Sequence, residues 1–306
     1  MALGLAWHRD AAARSASLDT GIRVPLPSMR SLLALDTQDL RPLEIDRMNL
    51  LCAQGLPGGP DGGPEGFYAT LEAWTKQVGA EPARNLHRFR ENPAEFHHSE
   101  AYFRILVLVT VLQQDCGVRY NPERVQAPDF SDSRDLFLHG LLSGQRQGTC
   151  VSIPVLYVAI GRLLGYPLKL VATKAHLFAR WESADGKERF NIEATNQGLN
   201  TFPDEYYHTW PLPLTPAELA GGQYLKSLTP AEELAVFLTT RGHCLKTLGR
   251  LEEAAVCYAH AHLLAPQSEL HLASLAAVVS QQMPHWQRVH LDLGNNGKDH
   301  NKTTPN

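Results

Sequence analysis

The chain has 306 residues, 28 Lys and Arg against 32 Asp and Glu, a formal charge of −4, and five cysteines. That length buries a large core in one large or two modest domains. The near-balanced charge excludes the basic footprint of a nucleic-acid or membrane-surface binder. Cys52, Cys116, Cys150, Cys244 and Cys257 are odd in number, widely spaced and free of any CxxC. This argues against a disulfide framework and a Cys-rich zinc site, so reduced thiols and a cytoplasmic location are expected. The opening MALGLAWHRD has too short an apolar stretch for a secretory signal. The longest apolar run, Ile105 to Leu112, falls far short of a bilayer span. Neither a membrane nor a nucleic acid is expected as a partner.

In chain order, residues 1–40 have weak periodicity and read as a partly ordered lead-in. Leu43 to Gln54 predicts a first helix, with Leu43, Met48, Leu51 and Cys52 inward. GLPGGPDGGPEG then forces turns, and lacks the Gly-Lys-Ser/Thr ending that phosphate cradling needs. Phe67 to Val78 predicts a second helix on a Leu71, Trp74 and Val78 stripe, and Phe96 to Gln114 a third. The adjacent His97 and His98 point in different directions on a helix, so they read as capping or surface groups and not as a metal pair. Residues 117–135 are loop-like, and Leu136 to Leu142 makes a short helix.

Next comes Gly148-Thr149-Cys150, followed by VSIPVLYVAIGRLLGYP. Ile153, Leu156, Ile160, Leu163 and Leu164 recur at helical spacing, and Gly165 with Pro167 stops the helix. Cys150 therefore falls at or just before a helix N-terminus, where unpaired N–H groups favour a thiolate. The period then switches to strands at Leu168–Ala172, His176–Glu182 and Arg189–Thr195, the last two joined by Ala184-Asp185-Gly186-Lys187. A two-residue Asp185-Gly186 turn sets His176 opposite Thr195 and Phe178 opposite Glu193. His176 and Glu193 are then diagonal neighbours on one face, within reach of a hydrogen bond.

A helix-start cysteine followed by a hairpin presenting His and Glu is what a thiol nucleophile needs. The imidazole handles the thiol proton, and the carboxylate orients and stabilises the ring. A competing structural role pairs Glu193 with Arg180 across the strands. LHGLLSGQRQGTCVSIPVLYVAIGRLLGYPLKLV, HLFARWE and FNIEAT together resemble the transglutaminase-like superfamily of the papain-type cysteine fold, nearest to its bacterial SirB-type branch. The resemblance spans about residues 43 to 226. It implies an α+β core with a helical N-terminal part and a nucleophile helix packed on an antiparallel sheet. It also implies Cys150 as nucleophile, His176 as base and Glu193 as third member, where an Asp followed by Pro is more common. For the oxyanion, the Cys150 backbone N–H is one candidate donor, and Gln145 or Gln147 is a second by likeness to the upstream Gln of papain-like enzymes.

Beyond a proline-rich link, Gly242, Leu245, Gly249, Ala254, Tyr258, Ala261 and Pro266 resemble one tetratricopeptide repeat. Leu245, Leu248 and Tyr258 are expected between its helices. His260, His262 and His271 read as solvated helix positions. Glu269 to Val279 adds a helix, and the polar end reads as a disordered tail. The expected organisation is a lead-in at 1–40, a transglutaminase-like domain at 41–226, repeat-like helices at 227–283 and a tail at 284–306. One repeat cannot bury its own apolar face, so it docks on the main domain or on a protein partner. The expected function is thiol-dependent acyl chemistry on a peptide or protein amide, as a peptidase, amidase or acyltransferase, with no metal and no organic cofactor. The rival expectation is a catalytically silent fold that holds a partner protein through the C-terminal helices.

Overall fold

The computed structural model describes residues 29–34, 40, 44–60, 64–125 and 128–296, and side chains as far as Gln282. The chain folds as α+β, with helices on both sides of the sequence carrying a small sheet. Part of the lead-in is built into the core. Helix α1 (Met29–Leu33) buries Leu32, and Leu40 is also fully covered. Helix α2 (Ile45–Ala53) buries Met48, Leu51 and Cys52 as expected, while Leu43 lies outside the described residues.

Helix α3 (Glu65–Glu91) is far longer than its Phe67–Val78 stripe predicts and runs on through Gly79 and Pro82. Pro82 is buried on the same side as Leu71, Trp74 and Val78, so tertiary burial overrides the break a proline signals. Helix α4 (Glu100–Thr110) starts later than expected, because His97 and His98 take left-handed backbone and Ser99 caps the helix by accepting from the Tyr102 N–H (2.8 Å). The stretch 117–135, read as loop, contains a two-residue strand, β1 (Arg119–Tyr120). After α5 (Leu138–Leu142), β1 pairs in parallel with β2 (Gln147–Gly148), setting Tyr120 opposite Gly148.

Helix α6 (Ile153–Leu163) follows, and it is central. Every residue from Ile153 to Gly161 is buried, so the stripe read from the sequence is in fact a helix wrapped on all sides. It contacts α2, α3, α4 and α5 and lies on β3 (Leu168–Thr173) and β4 (His176–Glu182). Strands β3, β4 and β5 (Arg189–Ile192) form an antiparallel sheet in that order. Residues 225–228 cover the outer edge of β3, with Leu225 and Leu228 N–H groups donating to Ala172 and Leu170 (2.9 Å each).

The β4–β5 connection differs from the expected two-residue turn. Ser183 N–H donates to Glu188 O (2.9 Å), closing a four-residue loop in which Gly186 adopts φ +69°. Two and four residues have the same parity, so the register is unchanged: Ala179 pairs with Ile192 and Arg180 with Asn191.

A short helix α7 (Pro216–Ala220) leads to α8 (Pro230–Thr247), α9 (Leu251–Leu264) and α10 (Glu269–Asn296). Helix α10 continues well past Val279, while residues 297–306 lie outside the described ones. Helix α8 opens with a capping box of Thr229 and Glu232 and packs on α2 and α9. Its Arg241 donates to the Cys52 and Gln54 carbonyls (2.9 and 2.6 Å), at the C-terminal end of α2, where a cation is favoured. Arg162 of α6 makes two hydrogen bonds to the buried Glu233 carboxylate (3.0 and 2.5 Å). Leu234, Phe237, Leu245 and Tyr258 belong to the same continuous core as α6. Leu248 is a correction: it ends α8 partly exposed, because the chain turns away from the interface there. His271 is another, being buried against Thr239 with 2.8 Å between Oγ1 and Nδ1.

Candidate active site

Cys150 occupies a tight turn just ahead of α6 and is half-buried. The turn is held by Asp135, whose backbone oxygen accepts from the Thr149 and Ser152 hydroxyls (3.0 and 2.8 Å). The Asp135 carboxylate accepts from Asn121 Nδ2 (3.1 Å to each oxygen) and Arg124 Nε (3.0 Å), fastening the segment after β1 to the cysteine turn. A Cβ on Gly148 would lie 2.5 Å from Ser152 Oγ and 2.8 Å from Leu141 Cδ2, so only glycine lets the turn fold this tightly.

His176 begins β4, directly after a turn in which Ala175 has φ +62°, and pairs across the sheet with Thr173. A left-handed alanine costs about 1–2 kcal/mol and persists where packing over-determines it. Glu193 follows β5, anchored by its N–H to Asn200 O (2.9 Å). His176 Nε2 and Glu193 Oε2 are 2.9 Å apart, and both side chains are buried. The same oxygen accepts from the Tyr207 hydroxyl (3.1 Å), and Oε1 accepts from the Thr195 N–H and hydroxyl (3.0 and 2.7 Å). The carboxylate is fully partnered, as a buried charge must be. Arg180, the alternative partner, binds Asn191 Oδ1 and Asp204 Oδ1 (2.7 Å each) instead. Asp204 opens the short turn that delivers Tyr207, whose ring stacks on Phe178 at 4.0 Å.

With Nε2 engaged by Glu193, Nδ1 is the ring nitrogen that Glu193 leaves free, and Cys150 stands near enough to act on the ring electrostatically. Burial opposes the imidazolium, but hydrogen bonds and charge from Cys150 and Glu193 outweigh it and raise the His176 pKa to about 9. Burial likewise opposes the Glu193 carboxylate, and the His176 and Thr195 hydrogen bonds still hold its pKa below the ordinary value. The indole of Trp210 stands edge-on to the imidazole at 4.6 Å, covering it.

Tyr120 lies beside Cys150 in the same cleft, near enough for the two groups to act on each other electrostatically, and its hydroxyl donates to the Arg124 carbonyl oxygen at 3.5 Å. Burial, then the neighbouring thiol, raise its pKa to about 12, so it remains a proton-bearing donor at neutral pH. Gln145 is exposed, and neither it nor Gln147 lines the cavity in which Cys150 opens. The Gln147 carboxamide oxygen, turned toward Arg119, accepts from its guanidinium at 3.2 Å. Sequence reasoning missed Tyr120 because a two-residue strand has no periodicity to read. Asp135 acts largely through a backbone oxygen, which no sequence pattern marks.

The cavity measures about 1180 Å³. Tyr120, Cys150, His176 and Trp210 lie on the sheet side, and Val236, Thr239, His243 and His271 on the side of α8 and α10. The C-terminal helices therefore form one wall of the cleft that exposes Cys150.

A family model described as the transglutaminase-like superfamily matches residues 66–235, and the chain belongs to that superfamily. Its members share, in general, cysteine-based acyl chemistry. Comparison with curated proteins gives no match. Among solved structures, the chain is similar to a crystal structure of menin described as revealing its binding site for Mixed Lineage Leukemia protein. The identity is 14%, 87% of this chain and 69% of that one are covered, and the TM-score is 0.37, too loose a superposition to assign function. Among the described residues, no helix is long and apolar enough to cross a membrane.

Proposed function

We propose that the protein performs thiol-dependent acyl chemistry on an amide, with Cys150 as nucleophile, His176 as proton carrier and Glu193 as the group that orients and charges the ring. The observation that carries this reading is the buried 2.9 Å contact between His176 Nε2 and Glu193 Oε2, on a ring that lines the same cleft as Cys150 and interacts with it electrostatically. The thiolate attacks the amide carbonyl carbon, forming a C–S bond, while the Cys150 N–H and Tyr120 hydroxyl receive the developing oxyanion. The tetrahedral intermediate collapses, the C–N bond breaks, and the imidazolium gives its proton to the leaving amine. Water or an amine then attacks the thioester carbon as the imidazole takes its proton, forming a C–O or C–N bond, and collapse of this second intermediate breaks the C–S bond and returns the thiolate–imidazolium pair. Gln145 and Gln147 have no part in this scheme. The finer assignments, a SirB-type branch, a tetratricopeptide-like tail and a cytoplasmic setting, rest on the sequence motifs and are proposed with it.

Competitive alkylation with iodoacetamide, read by mass spectrometry of all five cysteines, tests the reading. Cys150 should label first, and His176→Ala should shift its labelling to higher pH. Labelling of Cys150 no faster than the buried cysteines, and indifferent to His176→Ala, would replace this reading with a catalytically silent scaffold.

A further inference from the structure

We propose that the cleft between the sheet and helices α8 and α10 receives an uncharged stretch of polypeptide carrying bulky apolar side chains, with the reacting amide beside Cys150. This deepens the thiol reading above and rests on it for the position of the amide.

The first support is charge. Of the cations in the cleft wall, Arg124 is bound to Asp135 behind it (3.0 Å), and Lys174 and Lys226 to Glu218 and Glu232 within it (2.8 and 2.7 Å). Burial keeps His243 and His271 neutral near pH 7 by lowering each pKa to about 4. The remaining charged group in the described lining, apart from the catalytic pair, is Glu269, exposed at the start of α10. A charged side chain entering here loses its water and, away from Glu269 at the start of α10, finds no free countercharge, which is costly.

The second support is the mouth. Val125, Leu212 and Leu270 line it and are 63%, 47% and 48% exposed. Large apolar side chains left in solvent around one opening mark a binding surface. Leu212 follows Trp210 and Pro211, so this apolar rim begins at the residue covering His176.

The third support is size and polarity. About 1180 Å³ exceeds the roughly 300–1,000 Å³ of ordinary small-molecule pockets. The Asn196 and Gln223 carboxamides are also in the lining, able to meet peptide groups that an aliphatic chain would not offer.

The test uses full-length protein carrying Cys150→Ala and a synthetic pool of capped decapeptides, with retained peptides read by mass spectrometry. Peptides rich in Leu, Val, Phe and Trp should be enriched about tenfold over those bearing Asp, Glu, Lys or Arg, the gain of burying one large apolar side chain. Leu212→Glu or Leu270→Glu should abolish that enrichment. Leu263→Glu, at a 75% exposed position outside the cleft, should leave it intact. Equal retention of charged and apolar peptides, or enrichment that survives both cleft substitutions, would overturn the proposal. So would binding of a fluorescent fatty acid with all peptides rejected. Iodoacetamide labelling of the unsubstituted protein reports on the thiol separately. A reactive Cys150 with no peptide selection overturns the substrate assignment alone. Selection by a protein whose Cys150 is inert upholds the peptide cleft and overturns the chemistry.

Discussion

Glu193 Oε2 lies 2.9 Å from His176 Nε2, and the Tyr207 hydroxyl reaches the same oxygen at 3.1 Å. The carboxylate is thereby fixed in direction and kept ionised, so the ring is both oriented and stabilised as an imidazolium.

The His176 pKa is raised above its unfolded value, to about 9, so the sign of its effect is set. The interaction contributes stability in full below about 6.5 and loses it as pH rises through about 9. Acylation needs the imidazolium to protonate the leaving amine. The pH profile of kcat/KM should therefore fall on its alkaline side near pH 9, and Glu193→Gln should move that limb to lower pH. Glu193→Gln should also reduce kcat/KM by about 10²-fold or more. Steady-state rates on an amide substrate across pH 5–10 check this, and an unmoved limb refutes the role given to Glu193.

Tyr120→Phe keeps the ring and removes the hydroxyl beside Cys150. The expected result is a fall in kcat of about 10²-fold, the usual cost of one oxyanion donor, with little change in KM or melting temperature. An unchanged kcat would leave the Cys150 N–H without this partner in the transition state.

Gly242 of α8 faces Tyr258 of α9, and a Cβ there would lie 2.5 Å from Tyr258 Cε1. Gly242→Ala should destabilise by about 1–3 kcal/mol through overpacking. Thermal unfolding should show a lower midpoint. Deleting the chain after residue 226 should be more damaging, since it strips α8 from α2 and α6 and strands Arg162 without Glu233. A truncated protein melting cooperatively at the same temperature would show instead that the C-terminal helices are an independent arm.

His139, His243 and His271 behave oppositely to His176. Burial is the main cause in each case and lowers each pKa to about 4. The unfolded chain takes protons near pH 6.5 that the folded one refuses, so stability is present above 6.5 and lost as pH falls toward 4. Urea midpoints should drop between pH 7 and pH 4.5, and a flat profile would contradict the neutral burial of these rings.

The cysteine at the mouth of an apolar helix and the shared face of His176 and Glu193 are legible in the local pattern of residues. Both follow from short-range rules: helix-stop residues bound α6, and a hairpin loop of even length fixes which side chains alternate to which face. That face survives the change of loop length, because two and four residues leave the same parity. What surrounds them depends on packing between segments far apart in the chain. Tyr120 reaches Cys150 through a two-residue parallel pairing, Asp135 holds the turn with a backbone oxygen, and α3 runs through Pro82 because its neighbours bury it. Gln145 and Gln147 fell outside the cleft for the same reason. Their proximity to Cys150 along the chain says nothing about direction once Gly148 turns the backbone. The far wall of the cleft comes from residues about ninety positions later, and distance along a chain carries no information about packing until the core that joins the two is formed.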